Sequence, residues 1–279
     1  MDDGGDAMVR LRPDGIIQVQ RAKAGKMPIL ILKPKKTREN VPGILWIHGG
    51  GYMLGMKEMV YMGRAINLVR RYGAVVISPG YRLSWQKPYP AALVDCYRAL
   101  LFMQRHARKL GIRKDQLMVG GESAGGGLCA AVCMKARDRG EVNVAYQMPL
   151  YPMLSNVDTE SSRDNHGRVW NTTKNHIGWK LYLRKKAGSE VSPYASPIWQ
   201  KDYSGLPPAY TFVGDGEPFY AETSMYIDRL KAAGIPAAMD IYHTDMHAFD
   251  MMRPDDAISR RAAEVFEEHF AYAMEHYFA

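Results

Sequence analysis

Short apolar runs of β character alternate along the chain with longer segments whose apolar residues recur at helical spacing. The runs Ile29 to Lys33, Gly43 to His48, Ala74 to Pro79, Leu117 to Gly120, Ala145 to Tyr151, Tyr210 to Gly214 and Ala238 to Tyr242 are predicted strands. Helices are predicted at about Met59 to Tyr72, Pro90 to Gly111, Gly125 to Arg139, Tyr220 to Ala233 and Asp256 to Tyr277. Alternation of this kind predicts an α/β fold with a doubly wound, mainly parallel sheet covered by helices on both faces. The segment Arg10 to Leu32 holds two β-like runs around Gly25 and Lys26 and reads as an antiparallel hairpin. From Asn156 to Tyr203 the rhythm breaks: the chain is rich in Ser, Asn, Asp, Trp and Lys, with one short helix predicted at Thr173 to Leu183. Long connections inside compact domains are usually functional, so 156–203 is expected to be a cap inserted into a single domain spanning 1–279.

Composition narrows the class without changing that picture. With 279 residues, 47% hydrophobic and 24% charged, the chain matches a globular domain large enough to bury a substantial core. No apolar run reaches the ~20 residues of a membrane span, and the start MDDGGDAMVR lacks a secretory plan, so a cytoplasmic location is expected. Cys96, Cys129 and Cys133 are odd in number and lack CxxC spacing, which indicates neither a disulfide framework nor a metal site; Cys129 and Cys133 read as core filler. The net charge of +8 is scattered over short clusters at Lys33 to Arg38, Arg105 to Lys109 and Arg184 to Lys186. These read as solvated faces, not as a nucleic-acid surface.

The chemistry concentrates in two glycine-rich strings. Gly121-Glu122-Ser123-Ala124-Gly125 follows an apolar run and opens a helix. A serine on such a strand-to-helix turn is held in strained geometry with its hydroxyl exposed, and the N-terminus of the following helix favours the anion that forms on carbonyl attack. A GxSxG string alone would arise by accident in roughly one such sequence in ten, so the second string carries weight. His48-Gly49-Gly50-Gly51 follows another strand and supplies bare backbone whose N–H groups, with that of the residue after the serine, can form an oxyanion hole. Neither GxxxxGK[ST] nor GxGxxG is present to make it a phosphate loop.

A serine hydroxyl needs a base, and the base needs an anionic partner, in the chain order Ser, acid, His. Among eight histidines, His247 follows the last strand in the loop Thr244 to Phe249, where a base belongs, and His243 is its close rival. His48 belongs to the glycine loop; His106, His269 and His276 read as surface residues on helices; His166 and His176 fall in the expected cap. Two carboxylates follow the strand Tyr210 to Gly214, Asp215 and Glu217, with Glu222 too far into the helix. Order alone leaves both open, and either could instead carry an N-terminal charge for the next helix.

HGGGYMLG at 48, YRL at Tyr81 to Leu83, GESAGG at 121, LPPAYTFVGDGEPF at 206 to 219 and His247 to Phe249 together resemble the hormone-sensitive-lipase-like branch of the α/β-hydrolases, over the chain from about Val41 onward. The resemblance implies an eight-stranded sheet with a small cap and carboxylester hydrolysis through an acyl-enzyme, without metal or organic cofactor. It assigns the nucleophile to Ser123, the oxyanion donors to the N–H groups of Gly50, Gly51 and Ala124, and the base to His247. Where the family has Asp before Pro, this chain has Glu217, and motif register ranks it over the alternative Asp215. Glu122 stands where the family commonly has Asp, and little chain precedes residue 48, so a relatively open pocket roofed mostly by 156–203 is expected.

The resemblance further implies small ester substrates with short, acetyl-type acyl groups, acetylated sugars and plant-derived acyl esters among them. Neither nucleic acid nor a membrane is expected as partner, and self-association is compatible with the chain. Trp170, Trp179, Tyr182 and Trp199 could stack on a sugar or aromatic alcohol, although such spacing more often serves packing. The rival readings are an amide or peptide hydrolase on the same scaffold and an inactive hydrolase-fold ligand receptor.

Overall fold

The computed structural model describes residues 15–36 and 39–279; the predicted hairpin's start at Arg10 and the end of the basic cluster at Arg38 lie outside them. Eight strands form one sheet in the order β1-β2-β4-β3-β5-β6-β7-β8. They are β1 (Ile17–Ala24), β2 (Met27–Pro34), β3 (Val41–Ile47), β4 (Val75–Pro79), β5 (Ile112–Glu122), β6 (Tyr146–Leu150), β7 (Ala209–Gly214) and β8 (Ala237–Tyr242). The predicted hairpin is β1 and β2, paired antiparallel from Ile17↔Pro34 to Ala24↔Met27, and β2 runs antiparallel to β4. All other pairings are parallel, so the loops leaving the C-terminal ends of β3, β5, β7 and β8 emerge along one edge of the sheet. Ligand sites of open α/β sheets form at that edge.

Covered on both faces, the inner strands read as continuous apolar runs, and every residue of β3, β4 and β6 is buried. Helices α2 (Ala91–Leu110) and α3 (Ala124–Arg139) bring Leu93, Cys96, Leu100, Cys129 and Cys133 into one core with Leu45, Ile47, Leu117 and Val119. The cysteines are thus packing residues with free thiols. On the opposite face, α1 (Ala65–Tyr72) and α7 (Ala257–His276) pack Leu68, Val69, Phe266 and Phe270 against Ile44, Trp46 and Met118. Between β6 and β7 the chain leaves the sheet, forms α4 (Thr172–Leu183) and two 3-10 turns, and returns; α5 (Tyr220–Ala232) follows β7, and the short α6 (Phe249–Met252) follows β8.

Two predicted elements differ. The single helix expected from Met59 to Tyr72 is a 3-10 turn at Lys57–Tyr61 followed by α1. It breaks where Gly63 passes against the Glu122 carboxylate, too close for any Cβ, and where Arg64 turns inward to Asp250. The strand expected at Leu117 to Gly120 begins at Ile112 instead, because the polar run Arg113-Lys114-Asp115 extends β5 beyond the helices' cover and so hides it from an apolar pattern. Among the described residues no helix is long and apolar enough to cross a membrane.

Candidate active site

Ser123 sits between β5 and α3 with φ +56 and ψ −120, a conformation that a residue with a Cβ adopts only under constraint. The constraint is close packing of bare backbone. A Cβ on Gly125 would run into the carbonyl oxygens of Ile47 and His48, so the turn can be this sharp only with glycine there. The Ser123 N–H donates to the Leu150 carbonyl at 3.0 Å, and its own carbonyl accepts from Gly127 and Met153 N–H groups. Ala124 is the first residue of α3, where a backbone N–H has no intrahelical acceptor and lies at the positive end of the helix dipole.

Beyond the end of β8, His247 reaches back over the sheet edge. Its Nε2 lies 2.9 Å from Ser123 Oγ, and its Nδ1 is in hydrogen-bond contact with Oε2 of Glu217. A carboxylate only accepts, so Nδ1 carries the hydrogen and Nε2 is left as acceptor for the serine hydroxyl. The other oxygen of Glu217 accepts the Gly214 N–H at 2.9 Å, which fixes the carboxylate at the end of β7. All three side chains are withdrawn from solvent: Ser123 is 6% exposed, His247 4% and Glu217 0%.

The rival pair forms a separate, outer contact. Asp215 Oδ2 meets His243 Nδ1 at 2.9 Å, but the His243 side chain is 99% exposed and that of Asp215 40%. Each shifts the other: His243 holds the Asp215 carboxyl below its ordinary range, and Asp215 raises His243. Asp215 also accepts the Thr244 N–H, so it ties together the loops after β7 and β8 instead of capping α5, whose N-cap is Phe219. Glu222 is buried and accepts from the Leu154 and Ser155 N–H groups in the chain beyond β6; burial pushes its carboxyl well above the usual range.

The glycine loop lies directly over the serine. A Cβ built on Gly49 would stand 3.2 Å from that of Ser123, and Gly50 and Gly51 adopt φ +111 and +59. His48 shapes this loop from beneath. Its Nδ1–H donates to the Gly49 carbonyl at 2.8 Å, its ring stacks on Tyr81 at 4.2 Å, and burial lowers its pKa to about 4, leaving it neutral. Gly51 is covered by the indole of Trp170, so close that a Cβ on the glycine would penetrate the ring.

Other positions carry roles that the sequence did not reveal. The rings of Tyr151 and Phe219 meet the imidazole of His247 edge-on, at 5.2 Å and 4.9 Å, and hold it from two sides. Tyr151 donates to Asp250 at 2.9 Å, and Asp250 pairs with Arg64 at 3.1 Å. Tyr151 and Phe219 are ordinary core types in the sequence, and only the fold brings them to the histidine. His269, expected at the surface, is half-buried and stacked on Tyr210, because α7 presses it against β7. Trp179 and Tyr182 pack in the interior against Tyr52, which removes them from any sugar platform, while Trp199 donates to Asn156 Oδ1 at 2.7 Å.

An eight-stranded, mostly parallel sheet with a strained serine between strand and helix, a histidine in the loop after β8 and a glycine loop after β3 defines the α/β-hydrolase class. The α/β hydrolase fold family matches residues 44–251. An α/β hydrolase of Acanthamoeba polyphaga mimivirus is 26% identical over 228 residues, pairing 80% of this chain with 65% of that protein. An arylesterase of Saccharolobus solfataricus is 31% identical over 228 residues, covering 80% of this chain and 73% of the relative. Among solved structures, a bacterial heroin esterase superposes with a TM-score of 0.91 at 31% identity, over 96% of this chain and 88% of that one. The chain belongs to the α/β-hydrolase fold family, in its hormone-sensitive-lipase-like branch.

Proposed function

We propose that this protein is a serine carboxylesterase that cleaves short-chain acyl esters through an acyl-enzyme. Membership of a family whose relatives are named esterases supports carboxylic ester hydrolysis. The observation that carries the mechanism is the hydrogen-bonded series Ser123–His247–Glu217, buried beneath the glycine loop and at the N-terminus of α3. In this reading the Ser123 hydroxyl attacks the ester carbonyl as its proton passes to His247 Nε2, and Glu217 stabilises the imidazolium. The N–H groups of Gly50, Gly51 and Ala124 receive the oxyanion, each such donor lowering the barrier by ~3 kcal/mol. The histidine then returns its proton to the leaving alcohol, and water activated by the same nitrogen releases the acid.

The excursion 156–203 serves as the cap. Support for short acyl groups comes from the same region: Trp170 closes over Gly51 and Ser123 is only 6% exposed, a more enclosed site than the relatively open pocket expected from the sequence. Small acetyl esters, including acetylated sugars, are the substrates to test first. Ser123→Ala should abolish turnover of p-nitrophenyl acetate with the thermal unfolding transition retained, and a fluorophosphonate should label the unsubstituted protein at Ser123. Undiminished turnover in that variant, or no labelling, would refute the reading.

A further inference from the structure

Two carbonyls that bracket Glu217 in the chain, those of Gly216 and Pro218, are held by side chains of the excursion between β6 and β7. Ser161 Oγ donates to the Pro218 carbonyl at 2.8 Å and accepts the Ala221 N–H at 3.0 Å. Asn165 Nδ2 donates to the Gly216 carbonyl at 3.0 Å, and its Oδ1 accepts the Gly167 N–H at 2.9 Å. The Ser161 hydroxyl thus joins the loop carrying Glu217 to the first turn of α5. Asn165 fastens the same loop on its other side. A third contact follows in the chain: a Cβ on Gly167 would stand 3.4 Å from the Asp245 carbonyl oxygen, two residues before His247. Three residues further on, Trp170 lies on Gly51.

From this arrangement we infer that Ser161 and Asn165 are positioning residues for the triad acid, so that the excursion serves the reaction itself as well as the roof. The inference rests on Glu217 being that acid. Glu217 is one methylene longer than the aspartate usual at this place in the family, and a longer side chain has one more torsion to fix before its oxygen meets His247 Nδ1. Within its own loop the carboxylate has a single backbone tether, the Gly214 N–H. Holding the Gly216 carbonyl restrains the peptide that enters Glu217, and holding the Pro218 carbonyl, across a ring that fixes the intervening φ, restrains the chain that leaves it, so the backbone from which the Glu217 side chain departs is tied on both sides. Misplacing an orienting group by a fraction of an ångström lowers the rate without changing substrate affinity.

The test is a set of kcat and KM measurements with p-nitrophenyl acetate on Ser161→Ala, Ser161→Thr and Asn165→Asp, each made in the natural chain and in a Glu217→Ala background. Asn165→Asp keeps the Gly167 contact and the side-chain shape while replacing the Nδ2 donor to the Gly216 and Ser161 carbonyls by a charged acceptor. Ser161→Ala and Asn165→Asp are each expected to lower kcat about tenfold with KM within about twofold, and Ser161→Thr to restore most of the loss. In the Glu217→Ala background the same changes should lower kcat no further, because the group they position is gone. Equal fractional losses in both backgrounds, or no loss in the natural chain, would overturn the inference. Full activity of Glu217→Ala by itself would instead remove the reading beneath it, a result that the single variant reports independently.

Discussion

The indole of Trp46 donates its Nε1 hydrogen to Oε1 of Glu122 at 2.8 Å, and Glu122 is the residue immediately before the serine on the strained turn. Burial drives the Glu122 carboxyl up to about 8, the nearby Asp250 adds to the rise, and the Trp46 hydrogen bond and Arg64 oppose it. The glutamate beside Ser123 is therefore a neutral acid at pH 7, and the buried network behind it includes the cation Arg64 and the carboxyls of Asp250 and Glu267.

A pH dependence follows. The folded protein keeps the proton on Glu122 up to about pH 8, whereas an unperturbed glutamate loses it near 4.5. Between those values the unfolded chain binds fewer protons, so this group's contribution to stability is full below pH 4.5 and declines as pH rises through 8. Glu122→Gln keeps the acceptor for Trp46 and has no proton to lose. Its Tm, followed from pH 5 to 9, should fall less steeply than that of the natural protein. Parallel curves would show that Glu122 does not titrate in this range.

The two carboxylates after β7 separate by substitution. Glu217→Gln should reduce kcat by on the order of 10³-fold or more, because the amide cannot hold the imidazole in the required tautomer. Asp215→Asn, at a contact that is largely exposed, should change kcat by no more than about threefold. The reverse pattern in initial rates would transfer the acid's role to Asp215.

Arg64 and Asp250 form an ion pair whose side chains are 10% and 0% exposed. Replacing only the cation, as in Arg64→Met, leaves Asp250 buried without its counter-charge beside the neutral Glu122 and should destabilise the fold by about 3–5 kcal/mol. Urea unfolding measures this. A loss below about 1 kcal/mol would mean that Asp250, like Glu122, is held neutral without the arginine's help.

Gly51→Ala confronts two obstacles at once: a φ of +59, and the Trp170 indole where the new methyl must go. The displaced loop N–H should cost at least about tenfold in kcat/KM on p-nitrophenyl acetate. Adding Trp170→Leu to Gly51→Ala should recover the steric part of that loss and leave the part due to backbone strain. If Gly51→Ala alone keeps full activity, Gly51 does not supply an oxyanion donor.

The alternation of apolar runs was enough to outline the sheet, because inner parallel strands such as β3 and β4 are buried on both faces and need no polar positions. It failed where a strand outruns its cover, at Arg113 to Asp115, and where tertiary contacts break a helix, at Gly63. Ser123 and the glycine loop were legible because strained backbone and close approach demand particular residue types at fixed spacing. Asp215 and Glu217 were not separable by order, since both follow the same strand; only the side chain that turns inward meets His247. Tyr151, Phe219, Ser161 and Asn165 left no signal, being common residues given meaning by what the fold sets beside them.

The excursion between β6 and β7 is one continuous stretch that leaves and rejoins neighbouring strands. Such a layout invites exchange, as a chimera could take this piece from a relative and acquire a new substrate range. The stitches from Ser161 and Asn165 to the loop at Gly216 and Pro218 limit that freedom. With the excursion as roof and Glu217 as acid, as proposed, a graft spanning the whole excursion would exchange the roof and loosen the acid together. One whose first junction lies beyond Asn165 would keep the side chains that make both stitches, although Gly167 and Thr172, which hold Asn165, would have to be retained with them.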